Sequence, residues 1–292
     1  MRWIKGLVPT VIILLGALVL GCICYVSIWG APSFVVQRVE QALMEKGIPV
    51  HIETLKISLW PRAVVTLKNV ELLDPGVPPE ARRPVALLHE ADVALNWKEL
   101  IDGQVVPERL NVKGLDVNLP VDAEKPERVF STAGLNAELD LGRPGMVDIV
   151  KADAVVQGIR VTAQGAFSIG QGDSGDFTLT AEDMAAAREQ LNQVLKYLDR
   201  VKWPEASPPS LAVNLSDDPK GGVRVGMDLQ APSLRYGKIR VRDFLFSGDY
   251  ADSVIMAKRF TMRDAETAGF VNLSLQADLK KRSLIWDVPV SY

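Results

Sequence analysis

The chain has 292 residues, and its 33 Lys and Arg against 36 Asp and Glu give a formal net charge of −3. This balance lacks the polybasic field that nucleic-acid binding needs, so we expect no nucleic-acid partner. Its two cysteines, Cys22 and Cys24, both lie near the N-terminus, which excludes a disulfide framework or a cysteine-based metal site in the rest of the chain.

The first predicted element is a membrane anchor. No charged residue occurs between Lys5 and Arg38, and an apolar run fills residues 7–29. A helix over this run spans roughly 34 Å, enough to cross the hydrocarbon core of a bilayer. We therefore predict an uncleaved, single-pass anchor. Its marker residues are Leu7, Ile13, Leu20 and Trp29.

Two alternatives to an anchor are a cleaved signal peptide and a lipoprotein signal ending at Cys22, since residues 19–22 (VLGC) loosely resemble a lipobox. The apolar run is longer than a signal-peptide core and continues past Cys22 to Trp29, which favours the anchor. Arg2 and Lys5 give the N-terminal flank a modest positive bias. That bias predicts a cytoplasmic N-terminus with the body of the protein on the other side of the membrane.

A short amphipathic helix is predicted over residues 33–46. Phe34, Val35, Val39 and Leu43 recur at helical spacing, and Gly47 provides a stop signal. We expect the apolar stripe to pack against the first strands. The alternative, which does not exclude packing, is a position in the lipid interface beside the anchor.

From Val50 onward the apolar period changes from 3.6 to 2, as residues 135–141, 159–163, 223–231 and 273–279 illustrate. This alternation is typical of antiparallel strands with one apolar and one polar face, and about a dozen can be counted. We predict a mainly β protein with a long twisted antiparallel sheet. Its apolar side must be covered by a second sheet, by a helix or by acyl chains, so groove and sandwich both stay open. The candidate groove residues are Leu139, Val161, Val225, Met227, Leu229, Leu273 and Leu275.

A further helix is predicted over residues 181–201, as a core seam against the sheet or as a movable lid. Its stripe comprises Met184, Ala187, Leu191, Val194, Leu195 and Leu198. The predicted division of the chain is an anchor region, 1–32, a helix and β-sheet, 33–180, and a second helix with continuing sheet, 181–292.

Motifs of catalysis are missing from the sequence. His51 and His89 have no metal-binding spacing around them, and there is no nucleophile elbow, P-loop or dinucleotide fingerprint. We therefore expect a protein that is not an enzyme, with no catalytic residues, metal or cofactor.

Five segments resemble the N-terminal region of the AsmA-like family of bacterial envelope proteins, which is related to chorein-type bridge proteins. They are residues 31–34 (APSF), 47–52 (GIPVHI), 55–62 (LKISLWPR), 93–103 (VALNWKELIDG) and 107–120 (PERLNVKGLDVNLP). The resemblance covers about the first 120 residues. It implies an anchor in the cytoplasmic membrane, a periplasmic β-sheet with a lipid-lined groove, and a part in phospholipid movement or outer-membrane assembly.

The expected function is thus binding or conduction of phospholipid in an apolar groove. The alternative is a non-transporting periplasmic scaffold that pairs through its sheet edge. Leu284, Trp286, Val288 and Val290 alternate up to Tyr292, so we expect the last strand to recruit another copy or another β-groove protein.

Overall fold

The computed structural model of the protein describes residues 31–59, 61–122, 125–168, 180–218, 222–264, 269–278 and 283–287. The predicted anchor, with Leu7, Ile13, Leu20 and Trp29, lies outside these residues. Within them, no helix combines the length and apolarity that a membrane crossing requires.

The described residues form one open sheet of fourteen strands, which confirms the prediction of a mainly β chain. The helices are α1 (Ser33–Glu45), α2 (Trp97–Ile101) and α3 (Ala181–Leu198). The strands are β1 (Val50–Ser58), β2 (Val64–Leu73), β3 (Pro84–Leu95), β4 (Pro107–Pro120), β5 (Val129–Asp140), β6 (Met146–Val156), β7 (Ile159–Ser168), β8 (Val201–Lys202), β9 (Ser210–Asp217), β10 (Val223–Tyr236), β11 (Ile239–Ala251), β12 (Val254–Asp264), β13 (Phe270–Asp278) and β14 (Ser283–Asp287).

Thirteen of these strands follow one another in chain order across the sheet, from β1 at one edge to β14 at the other. The remaining strand, the short β8, pairs with β10. Nearly all neighbours are antiparallel, but β7 and β9 are parallel, with Val161 opposite Leu211 and Ala163 opposite Val213. The prediction of a wholly antiparallel sheet was therefore wrong at this pair. Parallel neighbours need a crossover that returns the chain to its starting end, and the segment containing α3 provides it.

Because strand directions alternate, the sheet has two distinct ends. The first, which we call the α3 end, carries the β2–β3, β4–β5, β6–β7 and β10–β11 connections, and α3 contacts residues there. The second, which we call the loop end, carries the β1–β2, β5–β6 and β11–β12 connections and the β3–β4 connection that contains α2.

β-Bulges shift the register between neighbouring strands from β4 to β7, and residues with positive φ interrupt β2, β4 and β5. Asn69, Gly114 and Gly134 have positive φ angles of 49°, 66° and 61°, and the β4–β5 register shifts on either side of Leu115. Side chains accept hydrogen bonds from the backbone amides of the two glycines. Gly114 N donates to Asn136 Oδ1 at 3.0 Å, and Gly134 N donates to Asp116 Oδ1 at 2.7 Å. Bulges bend a strand and increase its local twist, so we expect the sheet to bend at these positions.

The bulges also keep the apolar residues on one side. In β4, Val112 and Leu115 are three positions apart, yet they pair with Ala91 and Leu88 of β3, which are also three apart. Without the extra residue in each strand, side chains three positions apart would point to opposite faces.

A continuous apolar face as the candidate functional site

Register brings the predicted groove residues to one side of the sheet. Residues directly opposite each other in neighbouring strands point to the same side, so rows of pairs trace one face. One row crosses six strands and contains Val161, Leu211, Leu229, Phe246, Phe260 and Leu273.

Two further rows run parallel to this one. The first contains Leu139, Ile149, Gly165, Leu215, Val225, Tyr250 and Ile255. The second contains Met227, Gly248, Ala257 and Leu275. Val225, Met227 and Leu229 alternate along β10, so the three rows share a side. All seven candidate residues therefore lie on what we call the apolar face.

The apolar face is open rather than sandwiched. Each of the seven candidate residues is half-buried, whereas a core beneath a second layer would bury them. The fourteen strands belong to one sheet, so the described residues contain no second sheet to cover it. Phe244 and Phe260 meet edge to face, with centroids 5.4 Å apart and an interplanar angle of 89°. Contacts of this kind within the face are what shield its side chains in part.

Helix α1 packs along the β1 edge. Glu40 Oε1 accepts the Ile52 amide at 2.7 Å and lies 3.2 Å from His51 Nδ1. Ile52 itself is buried, whereas Phe34 and Met44 at the two ends of the helix are exposed. Val35, Val39 and Leu43 are half-buried, so this part of the apolar stripe is partly covered where the helix packs beside the first strand.

Helix α3 lies across the strand ends at the α3 end. Arg188 Nη2 donates to both carboxylate oxygens of Asp74, after β2, at 2.5 and 2.6 Å. Asn192 Nδ2 donates to Asp122, after β4, at 3.4 Å. The third contact is an ion pair between Asp199 at the C-terminal end of the helix and Arg128, just before β5. These polar contacts hold the helix over one end of the sheet.

The inward side of α3 differs in part from the predicted apolar stripe. Leu195 is the buried residue of the helix, but Ala187 and Val194 are exposed. Met184, Leu191 and Leu198 are half-buried, so most of the predicted stripe does face inward. Arg188 and Asn192 share that side, since the helix meets strand ends and loops, where polar groups need partners. The prediction was wrong for Ala187 and Val194 and for the end of the helix, which lies at residue 198 and not at 201.

The opposite side, the polar face, carries charged residues in registered rows. Lys68, Glu90 and Lys113 lie side by side on β2, β3 and β4. The Glu90 carboxylate accepts from Lys113 Nζ at 2.5 Å and lies 2.8 Å from Lys68 Nζ. Hydrogen bonds from these two lysines lower the pKa of Glu90 to about 2. The contrast between charged and apolar faces fixes which side of the sheet faces water.

One open hollow of about 670 Å³ lies at the loop end. Its polar lining comprises Arg62, Asn96, Lys98, Glu108, Arg109 and Asp140. Arg109 neighbours Glu138 at 3.6 Å, so acidic and basic groups largely compensate one another and the hollow favours no single ligand charge. It belongs to the polar face, because Arg109 alternates with Leu110, which pairs with Leu139.

The histidines take structural positions. His51 lies beside Glu40, and His89 Nε2 lies 3.6 Å from Asp116. Across the described ranges, no group of three His, Cys, Asp or Glu side chains is arranged to hold a metal ion.

Protein-family models, curated proteins and solved structures contain no match to this chain. The resemblance to the AsmA-like family therefore stays an expectation drawn from the sequence.

Sequence reasoning missed the bulges that keep the apolar face continuous. A signal was present in β3 and β4, where two consecutive non-apolar residues stand between apolar positions. His89–Glu90 interrupts β3, and Lys113–Gly114 interrupts β4.

Proposed function

We propose that this protein is a membrane-anchored envelope protein whose apolar face binds or conducts phospholipid acyl chains and so contributes to outer-membrane biogenesis. In this proposal residues 7–29 anchor the chain in the cytoplasmic membrane, with the N-terminus in the cytoplasm and the body in the periplasm. The supporting observation is the apolar face, which the register traces from β1 to β14 along the thirteen consecutive strands. Its seven candidate residues are half-buried, although Leu55, Ala91 and Ala257 on the same face are buried.

The physical argument concerns what can cover such a face. Thirteen registered strands about 4.8 Å apart extend for roughly 58 Å. Soluble monomers rarely expose contiguous apolar patches larger than a few hundred Å². Acyl chains suit this surface, because an apolar face of alternating aliphatic and aromatic residues offers no specific polar partner. Burial of such chains is favourable without directional contacts.

The test compares adjacent residues on opposite faces. A photo-crosslinking amino acid at Leu229 points to the apolar face, between Leu211 and Phe246, whereas the same group at Asp228 points to the polar face, between Ala212 and Ser247. The full chain would be irradiated in cells with radiolabelled phospholipid. We expect lipid adducts at position 229 and none at position 228.

Equal labelling at the two positions would show non-specific contact with lipid and would contradict the proposal. A second pair, Leu275 and Gln276 on β13, repeats the comparison far from the first, because Leu275 lies opposite Ala257 on the apolar face. Absence of adducts at both apolar positions, with the protein folded and membrane-bound, would reject acyl-chain binding.

The alternative is a scaffold that pairs through its sheet edge. It is favoured by the position of β14, which within the described residues pairs with β13 alone. Ile285, opposite Gln276, is exposed in this strand. Light scattering of the full chain in detergent should detect self-association if the edge recruits a second copy. An edge charge opposes strand pairing, so Ile285→Lys should reduce this association, and a monomer at high protein concentration would exclude edge pairing between copies.

A further inference from the structure

An exposed apolar patch lies at the loop end, in the connection between β3 and β4. Trp97, Ile101 and Val105 are 47%, 71% and 70% exposed, and Val106 is also exposed. We call these four residues the loop-end patch. None of them belongs to the apolar face, because all lie beyond the end of β3 and before the start of β4.

The patch is held in a defined conformation. The Asn96 side chain caps α2 by accepting the amides of Lys98 and Glu99 at 3.0 and 3.2 Å. The Asn96 amide donates to Val106 O at 2.8 Å, which closes the base of the connection. Gln104 N donates to Glu99 O at 2.8 Å within it. The apolar side chains are therefore displayed by a hydrogen-bonded loop.

The N-terminal segment joins the body at the half of β1 that is nearer the loop end. Ala31 N donates to Leu55 O of β1 at 2.6 Å, and α1 then runs from there toward the α3 end, with Glu40 beside Ile52. The apolar run of residues 7–29 ends two residues before Ala31, within about 7 Å of chain. If that run spans a bilayer, the membrane surface therefore lies close to Ala31.

The loop-end patch reaches further toward that surface than Ala31 does. Leu55 is level with Leu67 and with Ala91 of β3, and Trp97 follows Ala91 by six residues in the direction of the loop end. The strand from Ala91 to Leu95 extends by roughly 13 Å before α2 begins at Trp97, and β1 and β3 are two strand spacings apart, about 10 Å. The patch thus lies beyond the attachment point of the anchor, displaced sideways by two strands.

The charges around the patch identify the kind of contact. Lys98 is accompanied by Glu99 and Asp102, and Arg62 and Arg109 in the neighbouring hollow are accompanied by Glu108 and Asp140, so acidic groups balance the basic ones around α2. Attraction to anionic head groups needs several Lys or Arg side chains near the surface. A contact made here would depend on apolar insertion and would be nearly independent of lipid charge and of salt.

We infer that the loop-end patch inserts into the interface of the bilayer that holds the anchor, and that it orients the sheet with its loop end on the membrane. This inference rests on the proposed anchoring of residues 7–29. Tryptophan and aliphatic side chains at one exposed loop suit the boundary between head groups and acyl chains. The occupant of the patch is therefore lipid, and a second copy of the chain is the alternative that the experiment must separate.

The experiment uses the full chain with both native cysteines replaced by serine. A single cysteine replaces Val105, or replaces Ile239 as a control, because Ile239 is an exposed apolar residue at the start of β11, at the α3 end. Each variant carries an environment-sensitive fluorophore and is reconstituted in phosphatidylcholine nanodiscs. Some discs contain lipids with a nitroxide near the head group. We expect blue-shifted emission and nitroxide quenching at position 105, and neither at position 239.

The outcomes separate this inference from the proposed function. A chain that fails to enter nanodiscs overturns both the anchor and the insertion. A chain that enters them while the label at position 105 stays in water overturns the insertion alone. A blue shift without nitroxide quenching indicates a protein occupant and also overturns it. With the label moved to Val106→Cys, the further change Ile101→Asp should return the label to water while the chain stays in the disc. An unchanged label would contradict the role of Ile101.

Discussion

Leu229→Asp tests the assignment of the apolar face most directly. Leu229 is half-buried between Leu211 and Phe246. Half of the stabilisation from burying a leucine is about 1 kcal/mol. Partial loss of hydration of the new carboxylate adds about 1–2 kcal/mol. We therefore expect a destabilisation of about 2–3 kcal/mol around this position.

The matched control is Asp228→Lys, since Asp228 is exposed on the polar face beside Ala212 and Ser247. A surface substitution of this kind changes the free energy of unfolding by about 0.5 kcal/mol or less. Both changes would be read by hydrogen–deuterium exchange of the β9, β10 and β11 amides, because a long sheet opens locally rather than all at once.

A loss of 2–3 kcal/mol corresponds to roughly 30- to 150-fold faster exchange of these amides, since about 1.4 kcal/mol is a factor of ten. Asp228→Lys should leave the exchange rates almost unchanged. Similar acceleration in the two variants, or a larger effect from Asp228→Lys, would refute the facing of β10 and with it the apolar face.

Three further predictions concern the polar face, α3 and the β7–β9 pair. Glu90→Gln should cost about 1 kcal/mol at pH 7 after solvent screening; because the folded pKa is near 2, this difference should persist above pH 4.5 and vanish toward pH 2 in urea titrations. Arg188→Met should cost about 2 kcal/mol and speed amide exchange in α3, and adding Asp74→Asn should recover part of the loss; additive effects would contradict a coupled pair. Gly165→Ala should reduce the protection of the β7 and β9 amides from hydrogen exchange, because the new Cβ would lie 2.0 Å from a backbone oxygen of β9 at a φ of +129°. The control Gly226→Ala, whose Cβ would have no contact under 3.5 Å, should have a mild effect. Equal amide protection in the two variants would contradict the close approach at Gly165.

Local periodicity predicted much of the fold. The 3.6-residue spacing of Val35, Val39 and Leu43 predicted a helix over 33–46, and α1 spans Ser33–Glu45. The start of α3 at Ala181 was predicted correctly, and Thr180 caps it by accepting the Asp183 amide at 3.1 Å. Alternation predicted the strands and assigned the seven candidate residues to an apolar side, as the register now places them.

Three features escaped sequence reasoning because they depend on distant partners. The bulge at Gly114 is defined by the strands on either side of it. The inward side of α3 includes Arg188 because Asp74, more than a hundred residues earlier, lies at the same end of the sheet. The exposure of Val105 depends on how the β3–β4 connection folds back onto Asn96.

The sequence by itself determined the type of the two longer helices and of most strands, together with the apolar side of the strands, because side-chain direction repeats with the local backbone geometry of helices and strands. The tertiary structure alone decided that the strands form one open sheet, that β7 and β9 run parallel, and that α3 lies across the strand ends. These are questions of which strand pairs with which and in what register. Pairing joins residues far apart in sequence through backbone groups that are the same in nearly every residue, so composition and periodicity do not encode it.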